Sequence, residues 1–217
     1  FLREGFAVQD TLHPDRMVYG LPPDPGVASR AQEVLDAAYE QILASGTPRL
    51  VMDYATAELV KTSANAFLAT KISFINAMAQ VCDAAGANIT ALAQAIGMDD
   101  RIGRRFLRAG IGFGGGCLPK DIRAFRARAD ELGVGEALTF LAEVDRVNDT
   151  MRAGVIRTAR ELLGEGLAGA TVTVLGASFK PDSDDMRNSP AVDLAVELSG
   201  LAAQVVVHDP AAGPILA

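Results

Sequence analysis

Apolar residues recur at the spacing of one helix face over residues 27–44, at Ala31, Val34, Leu35, Ala38 and Ile42, and Gly46 ends the run. Short apolar runs on either side, 16–20 and 48–52, read as strands, and the Pro-rich 21–26 stretch predicts a turn. The rest of 1–26 reads as loop, so the opening has the pattern of an α/β unit. From 55 to 85 helical spacing continues for about eight turns and stops at Gly86. Leu68, Ile72, Ile75 and Cys82 fall on one face and Phe67, Phe74 and Val81 nearby, so this helix is expected inside a bundle or against a second subunit. Further helices are predicted over 88–96, capped by Asn88 or Thr90, over 119–132 and over 136–163, making 55–163 an all-helical body. The pattern then changes. A β-branched run over 170–175 ends at Gly176, a helix spans 190–199, and 204–207 is a second strand closed by His208-Asp209-Pro210. That is one strand–helix–strand unit. The predicted class is mainly α with α/β ends.

Composition agrees with this. Of 217 residues 49% are hydrophobic but only 6% aromatic, with no Trp, a mixture that favours helices over a β-sandwich. A net charge of −7 opposes nonspecific nucleic-acid binding, since a polyanion is repelled at long range. No apolar run reaches the ~20 residues that cross a bilayer, and the first residues lack the pattern of a signal peptide. The first residue is not Met, so the chain is expected to begin inside a longer gene product. Cys82 and Cys117 cannot form a disulfide framework, which points to a reducing, cytoplasmic setting. His13 and His208, far apart, make no metal cluster.

The stretch Gly110-Ile111-Gly112-Phe113-Gly114-Gly115-Gly116-Cys117-Leu118-Pro119-Lys120-Asp121 carries the most chemistry. Its glycines permit backbone conformations closed to other residues and let a ligand approach closely. Pro119 suits the first turn of the next helix, which puts Cys117 at a helix N-terminus near Lys120. Both features favour a thiolate and so a nucleophile; the alternative is a small buried residue in a tight turn. Cys82, in an apolar helix, is expected only to fill the core. Lys61 and Asn65, four residues apart, share a helix face. They serve either as a site or as a lysine snorkelling to solvent beside an asparagine. Arg101, Arg104, Arg105 and Arg108 recur at helical spacing before the glycines, where they can face phosphate or plain solvent. Lys180 and Arg187 flank the acidic turn Asp182-Ser183-Asp184-Asp185, at the end of a strand where open parallel sheets bind nucleotides. Asp209 is similar to the acid that holds a ribose in a dinucleotide fold, although Gly176 alone is no G-x-G-x-x-G fingerprint.

Together these residues resemble the nucleotide-sugar dehydrogenases of the UDP-glucose/GDP-mannose dehydrogenase family, its UDP-glucose branch above all. The resemblance runs through Phe1-Leu2-Arg3-Glu4-Gly5, Glu58-Leu59-Val60-Lys61, Ala64-Asn65-Ala66-Phe67-Leu68-Ala69, Ile96-Gly97-Met98-Asp99-Asp100-Arg101-Ile102-Gly103, the Gly112-to-Asp121 loop and Leu175-Gly176-Ala177-Ser178-Phe179-Lys180. The glycine–cysteine–Pro-Lys-Asp loop is the most specific part.

The resemblance implies the end of an NAD-binding α/β domain over 1–54 and a central helical domain, dimerising and substrate-binding, over 55–163. The start of a Rossmann-like, UDP-binding parallel-sheet domain would follow over 164–217. It implies a homodimer through the 55–85 helix, with NAD as cofactor and UDP-glucose or a related nucleotide sugar as substrate. Nucleic acid, membrane and metal are not expected. The sugar C6 alcohol would lose a hydride to NAD, and Cys117 would add to the aldehyde. A second hydride would then leave, and the thioester would be hydrolysed. By the same resemblance Lys61 and Asn65 would stabilise the oxyanion and orient water, while Glu4 and Asp121 would assist proton transfer. Leu2, Phe106, Leu107, Gly110, Phe113 and Gly114 would line sugar and uridine. Arg101 would reach the partner subunit's substrate, Lys180 and Arg187 would belong to the nucleotide side, and Lys120 and Arg187 to the cofactor. Gly116 stands where many members have Ser. Such a chain lacks the NAD domain and is expected to be inactive alone. Three alternatives remain at this point: another nucleotide sugar (GDP-mannose or a UDP-N-acetylhexosamine), a β-hydroxyacid dehydrogenase that needs no cysteine, and a non-catalytic helical dimerisation module.

Overall fold

The computed structural model describes residues 2–202 and 204–212, with the backbone but not the side chain of Glu165. Phe1 of the opening motif and residues 213–217 lie outside that set. The chain divides into two compact units, Phe1–Ala64 and Asn65–Ala217.

In the first unit α1 (Ala7–Leu12) precedes β1 (Met17–Leu21), α2 (Pro25–Ala38), α3 (Glu40–Ala44), β2 (Arg49–Asp53) and the first turns of α4 (Tyr54–Ala85). β1 and β2 pair in parallel, from Met17 opposite Arg49 to Leu21 opposite Asp53, and α2 lies in the crossover that parallel strands require. Tyr19 and Leu21 alternate into the interior at the strand period of two. α2 begins where Asp24 accepts a hydrogen bond from the Val27 N–H at 2.9 Å, with Pro25 in the first turn. The single helix predicted over 27–44 is two: Tyr39, at φ −110° and ψ 18°, leaves helical geometry and separates α2 from α3. α1, expected as loop, is six residues long and buries none of them, so its sequence carries no core-facing pattern to read.

The second unit contains most of α4, then α5 (Ile89–Gly97), α6 (Leu118–Glu131), α7 (Phe140–Leu163), β3 (Thr171–Leu175), α8 (Pro190–Ser199) and β4 (Gln204–His208). Asn88 caps α5 by accepting from the Ala91 N–H at 3.0 Å. The helix predicted from 136 opens as a 3-10 turn, Gly135–Leu138, before α7 begins. β3 and β4 pair in parallel, Thr171 opposite Gln204 to Leu175 opposite His208, with α8 between them in the chain. Two cores hold this unit. Ala66 and Ala69 of α4, Phe113, Ile122 of α6, and Leu141 and Val144 of α7 form one; Ile156 of α7, Val174 of β3 and Ala191, Leu194, Ala195 and Leu198 of α8 form the other. Burying each larger aliphatic side chain stabilises by about 1.5–3 kcal/mol. α7 serves both cores, so it ties the segment around Phe113 to the strand pair. The buried Ser73 hydroxyl adds a polar link from α4 to α7, donating to the Val144 carbonyl at 2.7 Å.

One expectation is corrected. The stretch between α5 and α6 is a run of turns, so 55–163 is not helical throughout, and Arg101, Arg104, Arg105 and Arg108 do not form a helix stripe. All four are exposed; the glycines nearby and the turn that Asp99 makes with Arg101 prevent helical hydrogen bonding there. The faces of α4 also separate more sharply than its composition predicts. Asn65, Ala66, Ala69, Ser73, Ile75, Asn76 and Cys82 are buried, whereas Phe67, Phe74 and Val81 are 67%, 48% and 58% exposed, an apolar stripe open to solvent. Among the described residues no helix is long and apolar enough to cross a membrane.

Candidate active site

The glycine segment between α5 and α6 has no regular structure, so its backbone groups need other partners. Asparagines supply them. Asn76 of α4 accepts from the Gly110 N–H at 2.8 Å. Asn148 of α7 accepts from the Phe113 N–H at 2.7 Å and donates to the Phe113 carbonyl at 3.0 Å, as a strand partner would. Asn188, just before α8, donates to the Gly115 carbonyl at 3.2 Å. Asn76 and Asn148 are buried. Sequence reasoning missed all three; a polar residue at a core-facing helical position is the signal that could have found the first two.

The glycines are needed for close approach by the protein itself rather than only by a ligand. A Cβ on Gly112, at φ 111°, would lie 2.7 Å from Asn148 Oδ1. One on Gly114 would strike the Asn188 carbonyl and lie 2.6 Å from Pro190 Cδ; one on Gly115 would lie 2.7 Å from the Phe179 ring. At Gly116 the nearest atom is the Arg187 guanidinium carbon at 3.6 Å, ordinary contact distance. Gly116→Ser is therefore expected to change stability by no more than about 0.5 kcal/mol, measured by urea unfolding.

Cys117 is exposed and occupies the N-cap of α6, with its carbonyl accepting from the Asp121 N–H at 2.8 Å. The helix end leaves the sulfur open to solvent at the head of α6. Asp121, one turn on, accepts from the Asn65 amide at 2.6 Å, and Asn65 is 6% exposed. The Lys120 ammonium stands 3.7 Å from the other Asp121 oxygen. The second unit thus brings Asn65, Cys117, Lys120 and Asp121 together. Lys61, half-buried one helical turn before Asn65 on α4, and the exposed Leu2 and Glu4 belong to the first unit. Cys82 is 2% exposed and lies within the protein, as expected of a core residue.

Beside the glycine segment a cleft of about 780 Å³ is lined by Arg108, Gly110, Gly112, Phe179, Lys180 and Ser183, among others. The Lys180 ammonium lies 5.7 Å from the centre of the Phe179 ring. Arg187 holds Asp185 through Nε at 3.0 Å and a terminal nitrogen at 2.6 Å, which keeps that carboxyl below the usual range. Arg101 grips Asp99 in the same way while its own side chain stays 89% exposed. Phe106 adopts φ 64°, rare for a bulky side chain, and is exposed. Leu107 and Phe113 are 5% exposed, and Phe113 belongs to the first core. The Phe113 side chain is thus packed in the core, and Phe113 is not among the residues that line the cleft.

Asp209 does not match the ribose-holding role that its spacing suggests. Its carboxylate accepts from the N–H groups of Ala177 at 2.7 Å, Ser178 at 3.1 Å, Ala211 at 2.8 Å and Ala212 at 2.9 Å, closing the loops after β3 and β4. Those four bonds, Ala177 first, hold its pKa far below the usual carboxylate range. A carboxylate with a lowered folded-state pKa stabilises fully above its unfolded value of ~4 and loses that contribution as pH falls below it. The stability gap between the parent and Asp209→Asn is thus expected to narrow as unfolding is measured from pH 6 down to pH 3; a constant gap would rule this out.

Residues 55–150 match the central domain of the UDP-glucose/GDP-mannose dehydrogenase family, and residues 173–215 match its UDP binding domain. The chain belongs to that family. It is 42% identical to the UDP-glucose 6-dehydrogenase YwqF of Bacillus subtilis over 98% of its own length and 46% of that protein's. It is 40% identical to the UDP-glucose 6-dehydrogenase of Rhizobium meliloti, over 97% and 47% respectively. The solved UDP-glucose dehydrogenase of the archaeon Pyrobaculum islandicum superposes with a TM-score of 0.89 at 42% identity, covering 99% of this chain and 47% of that one. The chain spans about half the length of the curated relatives it matches. The glycine segment, Cys117 and Asp121 fall in the part matching the family's central domain, and most of the cleft wall after β3 falls in the UDP binding domain. Among the described residues no cluster of His, Cys, Asp and Glu could hold a metal ion.

Proposed function

We propose that this chain is the substrate-handling part of an NAD-dependent UDP-glucose 6-dehydrogenase that converts UDP-glucose to UDP-glucuronate by two successive oxidations. The observation that carries the reading is Cys117, exposed on a helix N-terminus one turn from an Asp121 held by the buried Asn65. NAD, when bound, supplies the hydride acceptor for both oxidations. The exposed cations Lys120, on the first turn of α6, and Arg187, near Gly116, fit the anionic diphosphate of such a cofactor.

The chain's own residues then divide the work. The C6 hydroxyl proton passes to a base as the first hydride leaves, and the Cys117 sulfur adds to the aldehyde carbon. Loss of the second hydride leaves a thioester on Cys117. Water, activated through Asp121 and Glu4, cleaves it and returns the thiolate. Lys61 and Asn65 offer N–H donors to the oxygen that gains charge. The cleft beside Gly110 and Lys180 receives the nucleotide, and the family resemblance assigns Leu2, Phe106, Leu107, Phe113 and Gly114 to uridine and sugar. Arg101, projecting into solvent, serves the neighbouring subunit's substrate.

The same reading assigns residues 1–54 to the end of the NAD domain, 55–163 to the helical domain and 164–217 to the UDP domain. It places the enzyme in the cytoplasm, in the supply of uronic acid for polysaccharides. The exposed Phe67, Phe74 and Val81 stripe supports a homodimer through α4. These 217 residues, which span about half the length of the relatives they match, are expected to give no NADH alone. The test is NADH yield per UDP-glucose from the gene product beginning at its own start codon. Two NADH per sugar supports the reading. One would demote Cys117 to structure; none, with GDP-mannose or a UDP-N-acetylhexosamine active instead, would change the sugar.

A further inference from the structure

The segment from Phe179 to Pro190 has two jobs on two sides. Phe179, Lys180, Ser183 and Pro190 face the cleft, whereas Asn188 is not part of its wall. Asn188 instead faces the glycine segment. It sits in the left-handed region at φ 50°, where an asparagine is tolerated far better than most residues. In that conformation its carbonyl packs against Gly114 so closely that no Cβ fits there, and its amide nitrogen donates to the Gly115 carbonyl.

We propose that Asn188 is a positioning residue for the nucleophile: it fixes the Gly115–Gly116 peptide plane and so the direction in which the chain enters Cys117. A peptide group is planar, so a bond to the Gly115 carbonyl also sets the orientation of the Gly116 nitrogen. Only Gly116 then separates a fixed plane from the N-cap of α6. Glycines give that short stretch no side-chain restraint of its own, so the restraint has to come from outside. Asn188 touches no reacting atom. This inference rests on the reaction proposed above, and it adds a residue that the chemistry alone does not call for.

Two variants separate positioning from simple folding. Asn188→Gly keeps the left-handed backbone and removes the amide. Asn188→Asp keeps the side-chain shape and turns the donor into an oxygen that repels the Gly115 carbonyl. In the whole gene product, both are expected to lower kcat with UDP-glucose about tenfold or more, since small misplacements of a reacting group carry large rate costs. KM is expected to stay within about twofold, because Asn188 does not line the cleft. The pH profile of Cys117 alkylation by iodoacetamide is expected to move, with the thermal midpoint nearly unchanged. Unchanged kcat and an unchanged alkylation profile in both variants would overturn the proposal, as would a fall in kcat matched only by lost thermal stability. If the parent oxidises no nucleotide sugar, the reading of function fails separately, and the alkylation profiles alone decide the role of Asn188.

Discussion

On the proposed reaction, Cys117→Ala in the whole gene product is expected to abolish formation of UDP-glucuronate, with the rate of the complete oxidation falling at least about a thousandfold. The reason lies in the second oxidation. An aldehyde carbon holds its hydrogen firmly until a nucleophile has added, and only the tetrahedral adduct can release a hydride. The alcohol step needs no such adduct, so any NADH that remains should accompany aldehyde and not acid. Cys117→Ser keeps a hydroxyl in place of the thiolate and should be nearly as slow, because a serine there is not ionised by a helix N-terminus. The check is product identification by mass spectrometry alongside NADH absorbance. Full oxidation by the alanine variant would remove the covalent step and favour a β-hydroxyacid type of chemistry. Cys82 supplies an internal comparison: at 2% exposure it should resist alkylation in the folded protein while Cys117 reacts.

Asn148→Ala is expected to destabilise the folded chain by about 3 kcal/mol, read from urea unfolding. One side chain, 4% exposed, satisfies both polar groups of Phe113 in a place where neither a helix nor a strand can do so. Truncation leaves a buried N–H and a buried carbonyl without partners, and such groups cost far more when stranded than a formed bond gains. Asn148→Asp tests the account more finely. It preserves the acceptor for the Phe113 N–H but sets a carboxylate oxygen against the Phe113 carbonyl, and should be at least as damaging as alanine. A loss below about 1 kcal/mol in both variants would mean that the glycine segment is held mainly by the burial of the Phe113 ring.

Much of this could be read from the residues alone. Helices with a clear apolar face, such as α8, and the strand pairs at each end follow from spacing, because burial on one side is what spacing records. The family resemblance added the chemistry proposed for Cys117. What the sequence concealed were contacts between distant parts. The three adjacent glycines look like room for a ligand, and nothing local says that Asn188, Pro190 and Phe179 fill that room. Asp209 stands at a spacing that suits a ribose, yet four backbone N–H groups converge on it once β3 and β4 lie side by side. The arginines from 101 to 108 keep a helical spacing, but turns displace helix there because Asp99 and the glycines offer other hydrogen bonding. Each miss is a case in which tertiary partners decided a local question.

The bond between Asn188 and Gly115 joins residues 73 apart in sequence. At synthesis rates of roughly 5–20 residues per second, several seconds pass between emergence of the cysteine segment and emergence of the residues that hold it. During that interval the Gly114–Gly116 backbone has no partner to shape it, and contacts of such long separation form late in folding. A growing chain that stops short of α8 therefore carries the thiol without its mould. On the proposed roles, the nucleophile comes into working order only after the cleft-facing loop has been made, so the order of synthesis itself keeps an unfinished chain from presenting an armed cysteine.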